Sequence, residues 1–200
     1  MATFETQVEA LTGIAIDGSS SPTLTELSSF LVDGVIDVVN RMIEVRPAEL
    51  SKFTATTASG SGTSVVKAGK ILSVVREHDS TTILRKCAAI DPSDRYDATD
   101  SDSLLYRSKT NPGYYELAGS IHTVPAAAQS GDNELHVTQV SYDVGLVYGD
   151  NYNNSTPAIA NFPTDYEYLV AIYAAIQSLH NNMADTTISA LSITTVPPDI

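Results

Sequence analysis

Residues 161–186 read NFPTDYEYLVAIYAAIQSLHNNMADT, and this stretch decides how the rest of the chain is read. Pro163 is preset for the first turn of a helix, and the acids Asp165 and Glu167 face the positive end of that turn. Apolar side chains recur at Tyr166, Leu169, Val170, Tyr173, Ile176 and Leu179, the three- and four-residue spacing of one helical stripe. Burying six such side chains contributes on the order of 9–18 kcal/mol as an upper bound, so the helix needs a partner face. Residues 21–45, SPTLTELSSFLVDGVIDVVNRMIEV, supply one through Leu24, Leu27, Leu31, Val35, Val38 and Met42. Thr23 with Glu26 matches a capping box at its start. Asp33-Gly34 in its middle weakens the helix by roughly 1 kcal/mol relative to alanine and offers a place to bend. A shorter helix is expected around Phe4 to Leu11, ahead of Gly13.

Between the helices the period falls to two. The runs 52–57, 64–67, 70–77, 80–88, 114–117, 120–124 and 134–142 are rich in Val, Ile, Thr and Tyr and are bounded by turn residues. Ala118-Gly119 reads as a hairpin turn and residues 130–133 as the next connection. The expected fold is α+β. Residues 1–50 and 158–185 form an amphipathic helical body, residues 51–157 an antiparallel β insertion, and residues 186–200 an extended C-terminal arm.

The 200 residues carry 24 acids and 11 bases, a formal charge of −13. So acidic a chain is repelled by phosphate backbones and anionic membranes, which argues against a general nucleic-acid or membrane-surface binder. No apolar run reaches the ~18 residues of a spanning helix, and the first ten residues show no basic start or apolar stretch of a signal peptide. The single cysteine, Cys87, cannot form an internal disulfide, so synthesis in a reducing cytoplasm is expected. The charge is directional. All nine bases of residues 51–150 lie between Lys52 and Lys109, and beyond Lys109 nine carboxylates follow with no Lys or Arg.

No catalytic constellation stands out. His78, His122, His136 and His180 lack the spacing that puts two ligands on one helix face; a pairing of His122 with His136 across hairpins is the one two-ligand option, and strand-surface histidines are the bland reading. Asp91, Asp94, Asp97, Asp100 and Asp102 crowd twelve residues without the glycine or spacing of a calcium loop, which reads as a solvated loop or N-capped turn. The Gly60 and Gly69-Lys70 region fails the phosphate-loop pattern because Ser64 and Ile71 stand at its fixed positions. Cys87 lies in an apolar strand, the setting of an inert buried thiol. Tyrosines 106, 114, 115, 142, 148, 152, 166, 168 and 173 suggest a protein interface first and a sugar-stacking face second. No enzyme activity, cofactor or metal site is expected.

The order of these elements, with NPGYYELAGSIHTVP at residues 111–125 and IANFPTDYEYLVAIYAAIQSL at residues 159–179, resembles virion structural proteins of tailed bacteriophages. More narrowly, the chain is similar to the head-to-tail connector (adaptor) proteins of the neck, over roughly Thr23–Met183. The β insertion is larger and the Gly/Ser loop longer than in the minimal helical adaptors. The resemblance implies a homo-oligomeric ring of about twelve copies beneath the portal protein, contacting tail or nozzle proteins in the virion neck. It also implies that the arm docks on the portal or a neighbouring subunit through Thr186, Ile188, Leu191, Ile193 and Val196. Double-stranded DNA would slide through without specific binding, kept off the wall by carboxylates among Glu116, Asp132, Glu134, Asp143, Asp150, Asp165 and Glu167. The competing expectation is a peripheral tail protein, a receptor- or glycan-binding module that uses its tyrosines. A hydrolase using Asp91–Asp102 with a histidine is the third.

Overall fold

Local chemistry sets the helix boundaries. In the structure, a computed structural model describing residues 2–60, 62–78, 83–127, 133–142, 145–153 and 158–192, α1 spans Phe4–Thr12, α2 Leu24–Val45 and α3 Glu167–Ser192. The Thr6 N–H donates to Thr3 Oγ1 at the start of α1, and Gly13, at φ 70°, closes it by donating to the Glu9 carbonyl at 2.8 Å. The capping box on α2 is complete: Glu26 N–H donates to Thr23 Oγ1 and Thr23 N–H to Glu26 Oε2 at 2.7 Å. A 3-10 turn, Thr164–Tyr166, precedes α3.

The chain divides into two units, one of Met1–Phe53 with Tyr142–Ile200 and one of Thr54–Ser141. In the helical unit α3 packs against α1 and α2. Its core holds Phe4, Val8, Leu27, Leu31, Val35, Val39, Val170 and Ala174, all nearly inaccessible. Phe53 meets Phe162 edge-on at 5.2 Å. Gly34 stands at a close approach of α2 to α3. A Cβ there would lie 3.2 Å from Tyr173 Cδ1, and 3.3 Å from both Val170 Cγ1 and the Val170 carbonyl oxygen. The glycine that weakens α2 as a helix is the residue that lets α3 reach it.

The second unit holds eight strands among the described residues: β1 Thr54–Ala58, β2 Ser64–Val66, β3 Ile71–Glu77, β4 Leu84–Lys86, β5 Ala88–Ala89, β6 Gly113–Leu117, β7 Ser120–Val124 and β8 Leu135–Val140. They form two four-stranded sheets, ordered β1-β8-β3-β4 and β2-β7-β6-β5. One core serves both, built from Val74, Leu135 and Val137 of the first sheet, Val65 and Ile121 of the second, and Cys87 where the chain passes between them. Buried Gln139 ties the sheets together: its Oε1 accepts from Ala68 N–H at 2.9 Å and its Nε2 donates to the Val66 carbonyl at 3.0 Å. Ala118 and Gly119, at φ 50° and 75°, turn the β6–β7 hairpin as expected.

The fold class is α+β, with helices flanking the strand region, and three details differ from the sequence expectation. Thr186, Ile188 and Leu191 lie in α3 and not in an extended arm, while Ile193 and Val196 fall outside the described residues. No Pro or Gly interrupts this stretch, and the hydroxyls of Thr186 and Thr187 donate back to the carbonyls of Asn182 and Met183, which accommodates threonine in a helix. Residues 145–153, expected within the β insertion, belong to the helical unit, anchored by Phe4 N–H to Asp150 O and Tyr152 N–H to Ala2 O. The β5–β6 pair is parallel where an all-antiparallel insertion was expected, because the excursion of residues 90–112 brings the chain back beside β5 in the same direction.

Candidate functional site

Helix α3 carries two faces of different chemistry. Glu167, Val170, Ala171, Ala174, Ala175 and Ser178 are buried, a stripe of mostly small side chains suited to close helix approach. The larger apolar residues point the other way: Ile172, Ile176, Leu179 and Met183 remain 42%, 47%, 39% and 64% exposed. This is a correction to the expected inward stripe, of which only Val170 is fully buried. With Leu169 the exposed residues recur at three, four, three and four, the spacing of a coiled-coil seam. Beside the seam, Asp37, Val38, Arg41 and Met42 of α2 form a groove of about 230 Å³ with Leu169, Ile172, Tyr173 and Ile176. Arg41 and Asp37 pair at 2.7 Å on its rim, placing both signs of charge at the edge of an apolar floor. Near the far end of α3, Ser21 Oγ donates to Asp185 Oδ2, and Asn182 Nδ2 donates to the Ser21 carbonyl at 2.9 Å.

The acids expected along a DNA passage stand in different local settings. Glu116 is paired with Lys67, Glu134 is half-buried beside Glu77 and His136, Asp150 accepts from Val147 N–H, and Asp165 is exposed. Asp132 and Asp143 lie outside the described residues. Glu167 cannot line a passage, because it is fully buried and its Oε2 accepts from Asn153 N–H at 2.7 Å. Its Oε1 finds no partner among the described residues, and burial pushes its carboxyl above the ordinary carboxylate range.

His122 and His136 do not meet. His122 stacks on Tyr115 at 5.2 Å, whereas His136 Nε2 lies 3.0 Å from Glu77 Oε1. The aspartate run forms two 3-10 turns, Pro92–Arg95, N-capped by Asp91, and Asp97–Thr99, which has no side-chain cap; the Ser93 hydroxyl and N–H hold the Asp91 carboxyl below its usual range. A cleft of about 430 Å³ passes Cys87, whose thiol burial pushes up to about 12, far from thiolate chemistry at neutral pH. Of the tyrosines, Tyr106 is exposed in the β unit and Tyr168 in the helical unit. Tyr96, absent from the sequence-level set, is the most exposed of all at 69%, and Arg95 stacks on it at 4.3 Å. The cue for it was Arg95-Tyr96 within a polar turn.

Among the described residues no helix is long and apolar enough to cross a membrane. The sequence matches no protein-family model and no curated protein.

Proposed function

We propose that the chain is a structural component of a tailed-phage neck, a head-to-tail adaptor whose copies close into a ring between portal and tail. The observation that carries this reading is the apolar seam of α3 with its groove on α2. Four large side chains at seam spacing retain about two residues' worth of exposure in total, and covering them contributes about 3–6 kcal/mol per copy. A neighbouring copy is the occupant that fits, since a seam of alternating three and four spacing interlocks with another of the same kind. The rim pair Asp37–Arg41 adds charge complementarity between identical surfaces. On this reading the protein does no chemistry. Its net charge of −13 keeps transiting DNA off the wall, with Glu167 removed from the candidate lining residues.

Imaging the purified chain, alone and mixed with portal rings, tests the proposal. Closed rings coaxial with the portal are expected. Monomers that ignore the portal, or spikes that bind sugar through the tyrosines, would overturn it.

A further inference from the structure

The geometry points to a divalent-metal site, independent of the neck reading, at Glu77, Glu134 and His136 on one face of the paired strands β3 and β8. The register places Val75 opposite His136 and Arg76 opposite Leu135, so Glu77 stands opposite Glu134, an arrangement closed by Glu77 N–H donating to the Glu134 carbonyl at 2.9 Å. Directly opposed residues of an antiparallel pair share a face, as do residues two apart on one strand. Two carboxylates and an imidazole are thereby fixed on one patch by backbone pairing, not by chance rotamers.

The ligand atoms of the three residues all lie within 4.8 Å of one another. Two ligands of one tetrahedral zinc ion are separated by about 3.3–3.6 Å when each bond is about 2.0–2.2 Å. Glu77 Oε1 and His136 Nε2 stand at 3.0 Å, a few tenths of an ångström closer, so a cation would part them slightly and draw Glu134 in by a side-chain adjustment. Glu77 is 97% buried by its 3% exposure, and its second oxygen, Oε2, accepts the Glu134 N–H at 2.9 Å, which orients the carboxylate as an outer-shell partner does in metal centres.

Electrostatics supply the second argument. Like charges directly opposed on neighbouring strands are destabilising, and here one of the two is buried. The Arg76 guanidinium donates to the carbonyls of Glu77 and Ala126 at 3.0 and 3.1 Å. A cation between the carboxylates offsets their repulsion directly. One nitrogen and two oxygen donors suit zinc or another first-row divalent ion and leave a position for water. Entry is open, because Ala58, opposite His136 on β1, is small and exposed, and His136 keeps 25% of its side-chain exposure.

The test is calorimetric titration of the full chain with zinc chloride at neutral pH. Wild type is expected to bind one equivalent saturably, Glu134→Gln and His136→Gln at least tenfold more weakly, and His122→Gln as wild type. In wild-type protein zinc should also shift the ring nitrogen resonance of His136, a readout that stands if either variant fails to fold. No saturable binding, equal affinity in wild type and both variants, or an unmoved His136 resonance would overturn the site and leave Glu77–His136 as a simple hydrogen-bonded pair.

Discussion

Replacing Gly34 with alanine sets two opposing effects against each other at one atom. In an unencumbered helix interior alanine is better than glycine by about 1 kcal/mol. At this position the new methyl would sit 3.2–3.3 Å from Tyr173 Cδ1, Val170 Cγ1 and the Val170 carbonyl oxygen. The half-buried Tyr173 ring can rotate away. Val170 cannot, since its side chain is fully buried and its carbonyl belongs to the backbone of α3, so relief requires the two helices to separate. Overpacking of this kind costs about 1–3 kcal/mol, which leaves Gly34→Ala less stable than wild type by about 1 kcal/mol. Urea denaturation followed by circular dichroism measures the difference. Gly149→Ala, with nothing within 4 Å of its new Cβ, serves as the control and should stay within about 0.5 kcal/mol of wild type. A Gly34→Ala variant more stable than wild type would refute the claim that α2 and α3 touch through this glycine.

Three further outcomes follow from the same structure. Burial holds the Glu167 carboxyl above its ordinary range against the N–H groups of Asn153 and Ala158, so the fold favours its protonated form. Its contribution to stability is therefore fully present below the unfolded value near 4.5 and lost as pH rises through the higher folded value. Glu167→Gln should remove that slope, and an unchanged pH profile in chemical melts would contradict it. Thr23→Ala deletes the hydroxyl of the capping box and should cost about 1 kcal/mol in the same melts; a loss below a few tenths would show the cap to be idle. Cys87, with its thiol pushed up to about 12, should resist iodoacetamide in the folded protein and react in denaturant; rapid native labelling would contradict its burial.

Much of this architecture is legible in the sequence where a local rule fixes it. The Thr23–Glu26 box starts α2, Ala118-Gly119 turns the hairpin, and the period-two runs locate the strands to within a few residues. The facing of α3 is not legible from apolar spacing alone, because apolar side chains surround the helix and the buried face is chosen by size. A glycine within the apolar stripe of α2 and the small residues Ala171, Ala174 and Ala175 on α3 were the available signal, since small residues on both helices permit a close approach, which Gly34 makes at Val170 and Tyr173. Pairing of Glu77 with His136 joins residues 59 apart and depends on strand register, which a one-residue slip would reverse. The helical start of the expected arm escaped for a simpler reason: Ile188 and Leu191 alternate with polar residues and also stand three apart, so strand and helix patterns coincide.

The central claim, that the α3 seam is covered by a neighbouring copy, is tested most directly by the solution mass of the wild-type chain beside Ile172→Glu/Ile176→Glu. Both positions are nearly half exposed in the single chain, so the double variant should keep its helical circular dichroism. Sedimentation velocity across a concentration series should show wild type assembling into a closed oligomer and the variant remaining at the 21.3 kDa of one chain. A wild type that stays monomeric at every concentration, or a variant that assembles equally well, would contradict the account.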